Sequence, residues 1–215
     1  MKNLQFKQLL LLSDTQKKAN QFLFQKRFNL ITADDNSVGK STLAKLLLWT
    51  FGCEPDFDST WKSTDCKCLV DFSIDGTNYK ILRYQNFISL KEENQEILKY
   101  TNIGGDYSKK FAELVDFKVL LPKRGSDETE LVTPPPAYYF LPFYMDQKNS
   151  WSKTWNSFGK LGQFDSWQKT VIKYHLGYLS PKHFELEQDL SDNKRQINEL
   201  NQEVEKIGYA LDVVK

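Results

Sequence analysis

Residues that build disulfide or metal frameworks are scarce in this chain: three cysteines (Cys53, Cys66 and Cys68) and two histidines (His175 and His183) among 215 residues. No cysteine pair has C-x-x-C spacing, and both histidines lie far along the sequence from the cysteines. This pattern excludes a disulfide scaffold and a zinc ribbon, and reads as thiols of a reducing compartment. A dominant charge is also missing, since 29 Lys and Arg against 28 Asp and Glu give a net charge of +1. The balance announces neither a nucleic-acid nor a membrane surface, although a basic face can be offset elsewhere, and residues 1–50 do lean basic. Long apolar runs are absent too. Leu9-Leu10-Leu11-Leu12 is too short for a secretory leader or a membrane span and reads as a buried strand, so a cytoplasmic protein without membrane contact is expected. Against these absences, a 40% apolar fraction supports a core, and the length suits one domain plus an appendage.

The most informative segment is Asp34-Asp35-Asn36-Ser37-Val38-Gly39-Lys40-Ser41-Thr42. It follows the apolar run Phe28–Thr32, expected as a strand, and opens the amphipathic stretch Leu43–Trp49, expected as a helix. Strand, tight loop and helix in this order form a P-loop, where backbone N–H groups at a helix N-terminus cradle phosphate oxygens and the helix dipole favours negative charge. Lys40 then reaches the β- and γ-phosphates of ATP and Ser41 ligates Mg²⁺. The nucleotide-binding set is Asp35, Asn36, Ser37, Val38, Gly39, Lys40, Ser41 and Thr42. The motif wants glycine where this chain has Asp34. Aspartate tolerates a left-handed backbone, yet two carboxylates beside a triphosphate weaken affinity unless they face solvent. Two other readings stand beside this one: a chance Gly-Lys-Ser turn, and a P-loop fold that has lost tight nucleotide binding.

Leu4–Leu12 and Gln21–Phe24 are predicted strands, and Gly52 closes the helix from Lys40. Cys68–Ile74 and Tyr79–Tyr84 flank the hairpin signal Asp75-Gly76. Phe87–Leu90 and Glu96–Tyr100 predict a further hairpin, so this region is an antiparallel β layer with no βαβ rhythm. A helix is expected over Ser108–Leu121, a loop over Pro122–Pro136, a strand over Ala137–Met145 and a helix over Ser166–His175. The crowded aromatics Trp151, Trp155, Phe158, Phe164 and Trp167 read as core packing.

Leu186, Leu190, Asn193, Ile197, Leu200, Val204, Ile207, Leu211 and Val214 recur at alternating spacings of four and three. This is a heptad seam, with Asn193 as a register device. No second heptad helix accompanies it, so the seam pairs with another copy or with a returning helix outside the sequence.

P-loop, antiparallel layer, aromatic run, short helix and heptad arm together resemble the N-terminal half of an SMC-type ABC ATPase head, close to the divergent bacterial members of DNA repair and of anti-phage or anti-plasmid defence. Asn36–Thr42 is similar to that family's phosphate loop, with Ser37 replacing a glycine. Gln147 is similar to its Q-loop glutamine, which senses Mg²⁺ and attacking water; Lys40 and Gln147 are thus the expected catalytic residues, and Ser41 and Gln147 the metal-facing ones. The resemblance implies an α/β P-loop NTPase lobe over residues 1–180 and the start of a coiled-coil arm over 181–215. It also implies ATP and Mg²⁺ as cofactors, a C-lobe of the same protein and a second head as partners, DNA as ligand, and a nuclease or accessory subunit. Signature motif, Walker B carboxylates and switch histidine have no match here, so poor hydrolysis by this portion alone is expected. Two alternatives remain. Asp146 can instead end a Walker B strand in a self-contained P-loop NTPase or kinase, although Pro142 argues against a central strand there. Or the chain is a nucleotide-insensitive coiled-coil scaffold.

Overall fold

The computed structural model describes residues 2–35, 39–125, 130–148, 150 and 154–214. It divides into two compact units, residues 1–117 with 134–161, and residues 118–133 with 162–215. The first unit is built on a six-stranded sheet of β1 (Leu4–Ser13), β2 (Lys18–Leu23), β3 (Cys66–Ile74), β4 (Thr77–Tyr84), β5 (Phe87–Glu92) and β6 (Ile97–Tyr100). The strand order is β2-β1-β3-β4-β5-β6, and every pairing described is antiparallel. Asp75 and Gly76 both have positive φ, 47° and 93°, and Ile74 pairs Thr77 across them. That is the two-residue turn whose twist matches the strands it joins, and it sets the β3–β4 register.

The register puts Leu9, Val70, Ile81 and Leu90 in one row across the sheet. All four are buried. This inner face packs on the helix α1 (Lys40–Thr50). The next residue, Phe51, is the aromatic hub of the unit. Its ring meets Phe72 at 4.9 Å, Phe6 at 5.6 Å, Phe111 at 6.1 Å and Phe140 at 5.7 Å, all edge to face. The helix ends in a Schellman motif: Cys53 N–H donates to Leu48 O at 3.2 Å and Gly52 N–H to Trp49 O at 2.9 Å. Gly52 has φ +95°, and a Cβ there would meet Ile103 Cγ2 at 3.0 Å and Tyr107 Cε1 at 3.1 Å. Glycine is therefore required both by conformation and by space.

Arg83 of β4 points inward, with its side chain 2% exposed. Its guanidinium donates to the carbonyls of Trp49, Cys53 (3.0 Å) and Gln85 (2.9 Å) and to Glu54 Oε1 (2.6 Å), and lies 4.3 Å from the Trp49 ring centroid. It thereby gives the Trp49 carbonyl, already bonded by Gly52 N–H, a second and charged donor at the negative end of the helix dipole.

Short helices α2 (Ser59–Lys62), α3 (Asp106–Val115) and α4 (Ala137–Phe140) complete the first unit. Three expectations change here. Residues 28–32 have no regular secondary structure, and Phe28 and Leu30 are 73% and 74% exposed. An apolar run becomes a strand only through a ladder partner, and none stands beside this one among the described residues. The helix expected to reach Leu121 stops at Val115, where Asp116 adopts a left-handed cap (φ 56°). The strand expected over Ala137–Met145 is instead α4 followed by a 3₁₀ turn, Leu141–Phe143. Pro136 supplies the reason, since its fixed φ of −54° suits a helix start, and its carbonyl accepts from Tyr139 and Phe140.

The second unit contains the two-residue ladder of β7 (Leu121–Pro122) and β8 (Leu131–Val132), within the stretch expected to be loop. It also holds α5 (Trp167–His175) and α6 (Pro181–Val214). Helix α5 closes with the same motif as α1, Tyr178 N–H donating to Lys173 O and Gly177 N–H to Tyr174 O. Tyr174 then meets Phe184 of α6 edge to face at 5.7 Å. Helix α6 runs 34 residues, about 50 Å at 1.5 Å per residue. Its heptad residues Leu186, Leu190, Ile197, Leu200, Val204 and Ile207 are all exposed.

Arg83→Ala leaves buried carbonyls and Glu54 without their shared donor, and should cost about 3 kcal/mol or more in urea unfolding. Lys80→Ala, on the outer face of the same strand, should stay within about 0.5 kcal/mol. Equal stability of the two variants would remove Arg83 as the anchor of α1.

Candidate functional site

The site is built at the N-terminus of α1. Gly39 is its N-cap, in the left-handed region with φ 93° and ψ 12°. The first helical bond is Leu43 N–H to Gly39 O at 2.9 Å, so the amides of Lys40, Ser41 and Thr42 precede the helix ladder and have no intrahelical acceptor. The first turn carries no acidic residue and no side-chain cap. Lys40 Nζ donates to the backbone carbonyl of Asp35 at 2.8 Å. Ser41 is exposed and Thr42 half-buried, while Asp34 and Asp35 are exposed to solvent. Asn36, Ser37 and Val38 lie outside the described residues. A left-handed glycine, open first-turn amides, an adjacent ammonium and solvent-facing aspartates suit a polyphosphate.

Gln147 sits in a turn and is exposed. Its neighbour Asp146 has a side chain 1% exposed and is ion-paired at 3.4 Å to Lys45 of α1, itself only 15% exposed. Asp146 Oδ2 accepts from the Lys148 amide at 3.0 Å, and Oδ1 faces the Tyr144 hydroxyl at 3.4 Å. Burial, and then the Asp146 carboxylate, raise the Tyr144 phenol above its ordinary range. Lys45 Nζ also donates to Asp56 O at 2.6 Å, and Lys148 Nζ to Asp56 Oδ2 at 2.8 Å. Behind the turn, Ser157 Oγ donates to Tyr144 O at 2.7 Å and shares a 2.8 Å bond with Ser150 Oγ. Because residues 137–143 are helical, Asp146 does not end a β-strand, and the Walker B outline lacks its defining element.

Sequence order singles out Lys40 and Gln147 but not Lys45 or Arg83, whose contacts hold α1. Both had a signal. Lys45 interrupts an otherwise apolar helix face, and Arg83 takes the inward position in the alternation Tyr79, Ile81, Arg83.

Cys53 and Cys68 are buried and Cys66 half-buried. No cluster of three His, Cys, Asp or Glu suited to a metal occurs among the described residues. Burial raises the Cys68 thiol to about 12 and pushes Cys53 well above its ordinary value. No described helix is long and apolar enough to cross a membrane.

No family model matches the sequence. Over 180 residues the chain is 27% identical to Lamassu protein LmuB of Bacillus cereus (strain VD014), an alignment covering 83% of this chain and 31% of the relative. Over 136 residues it is 27% identical to Lamassu protein LmuB of Bacillus sp. (strain NCIM 5461 / CCTCC AB 2011126 / NIO-1130), covering 63% of this chain and 23% of that relative. The chain thus spans less than a third of the length of either relative.

Alkylation of the native protein at mildly alkaline pH should modify Cys66 and spare Cys53 and Cys68 until denaturant is added, as read by peptide mass spectrometry. Since folding holds the Cys68 thiol protonated, its contribution to stability is complete below the ordinary value of 9.0 and is lost as pH rises toward about 12. Urea midpoints should therefore fall across that window, and less so in Cys68→Ser.

Proposed function

We propose that this chain is the ATP-binding N-lobe of an SMC-type ATPase head that works in anti-phage defence. The observation that carries the reading is the N-terminus of α1, where a left-handed Gly39 is followed at once by Lys40 and three amides outside the helix ladder. The exposed heptad face of α6 supports the arm that the reading requires. Similarity to the two Lamassu LmuB proteins supports defence over DNA repair as the setting.

Lys40 then exchanges the Asp35 carbonyl for phosphate oxygens, and the amides of residues 40–42 complete the cradle. Ser41 offers its hydroxyl to Mg²⁺. Gln147, exposed on its turn, is free to close toward the metal and orient water. Bound ATP–Mg²⁺ supplies the phosphoanhydride whose cleavage drives the head cycle. The uncovered run Phe28–Ile31 is the place where a C-lobe strand adds to this lobe, and α6 pairs with a returning helix. In this reading a second head closes on the first, DNA is held by the assembled heads through phosphate contacts, and a nuclease or accessory subunit acts on it.

Thermal melting with and without ATP–Mg²⁺ tests the site. At a ligand concentration 100 times its dissociation constant, binding stabilises by about 2.7 kcal/mol, and that gain should vanish in Lys40→Ala. A wild-type protein indifferent to ATP–Mg²⁺ would instead favour the nucleotide-insensitive scaffold. Gln147→Ala should retain nucleotide binding while slowing turnover of the full-length protein by about 100-fold, the scale of one lost water-orienting group. Unchanged turnover removes Gln147 from the site.

A further inference from the structure

The Gln147 turn is tied to the helix that carries the phosphate loop by a closed set of contacts. Lys45 lies on α1 five residues after Lys40, and its ammonium touches both Asp146 Oδ1 and Asp56 O. Asp56 returns to the turn through Lys148 Nζ, and Asp146 Oδ2 fixes the Lys148 amide on the far side of Gln147. The Asp146 amide donates to Ser150 Oγ at 2.9 Å and the Ser150 amide to Asp146 O at 3.3 Å. Thus Gln147 is flanked on both sides by anchored residues while its own side chain is exposed.

A carboxylate this deeply buried requires a counter-charge, and Lys45 of α1 supplies one at 3.4 Å. Parting from Lys45 would cost Asp146 that ion pair, and the Lys45 backbone is part of α1. The ion pair therefore makes the turn follow the helix.

We infer that Asp146 is a positioning residue: through its ion pair with Lys45 it seats the Gln147 turn on α1, so that Gln147 moves with the phosphate loop. This rests on the nucleotide-binding reading given above. Asp146 touches neither phosphate nor metal in this role; it acts through Gln147.

The test uses the full-length protein and two kinds of readout. In the nucleotide-free state, hydrogen exchange at the amides of Lys148 and Ser150 should speed up at least 10-fold in Asp146→Asn and in Lys45→Met, while the β3–β4 amides keep their protection. In the ATPase assay both variants should lose about 10-fold or more in kcat with KM for ATP within about 2-fold of wild type. Lys45→Arg, which keeps the ion pair, should recover most of the rate lost in Lys45→Met. The decisive comparison is a double variant. If Asp146 acts through Gln147, Asp146→Asn combined with Gln147→Ala should be no slower than Gln147→Ala alone. Multiplicative losses, or an unchanged kcat and unchanged exchange in Asp146→Asn, overturn the inference. Should Asp146→Asn fail to fold, Lys45→Met and its combination with Gln147→Ala decide the matter in the same way. A wild-type protein whose hydrolysis is lost in Lys40→Ala but indifferent to Asp146→Asn refutes the coupling alone; a wild-type protein that binds no ATP refutes the site and the coupling together.

Discussion

The first unit depends on how α1 is held at its C-terminal end. The first turn of α1 has no side-chain cap, and in the proposed reading a cap there would fill the anion site. Fixation falls to the other end. Gly52 closes the helix with two backbone bonds, Phe51 inserts among four aromatic rings, and Arg83 ties the Trp49 and Cys53 carbonyls to the sheet. The arginine is buried, which alone would be prohibitive, but guanidinium geometry lets one side chain bond three carbonyls and a carboxylate while stacking on Trp49. Arginine suits this position where lysine does not, since a single ammonium cannot span acceptors on both sides of the helix end.

Helix α1 thus has an uncapped amide terminus at one end and a locked terminus at the other. The first unit also carries the exposed run Phe28–Ile31, with no strand beside it among the described residues. The second unit has its own uncovered surface in the heptad face of α6. These apolar surfaces differ in the partner they require. Residues 28–31 present backbone groups that a strand would pair, whereas α6 has its backbone satisfied and needs only side chains to interdigitate. In the proposed reading both surfaces are covered by the rest of the head.

Local chemistry made much of this legible. Asp75-Gly76 sets a hairpin because both of its residues take positive φ, Gly52 ends α1 for the same reason, and the four-three spacing of α6 follows from helix geometry. The misread segments were those in which distant residues decide. The run 28–32 has the composition of a strand, but pairing belongs to the tertiary structure. Residues 137–145 have the aromatic content of a strand, but the prolines ahead of them start a helix. The same division applies to the site. The proposal of Gly39 and Lys40 rests on their order in the chain, whereas the pairing of Lys45 with Asp146 joins residues about a hundred positions apart and appears only once the chain has folded.

The division of labour between Asp146 and Gln147 follows from charge. A carboxylate enclosed by protein and paired to an ammonium has its charge already compensated, and recruiting it as a base or metal ligand would strand Lys45. A neutral amide one residue later has no such obligation and can remain in solvent until a ligand arrives. Lys45 lies about 7.5 Å along α1 from Lys40 at 1.5 Å per residue, a distance over which a helix moves as a rod. In the proposed reading a displacement of the phosphate loop reaches the turn through α1, the Lys45 side chain and its ion pair with Asp146. In that reading the aspartate serves by staying paired, and the glutamine by keeping an exposed side chain.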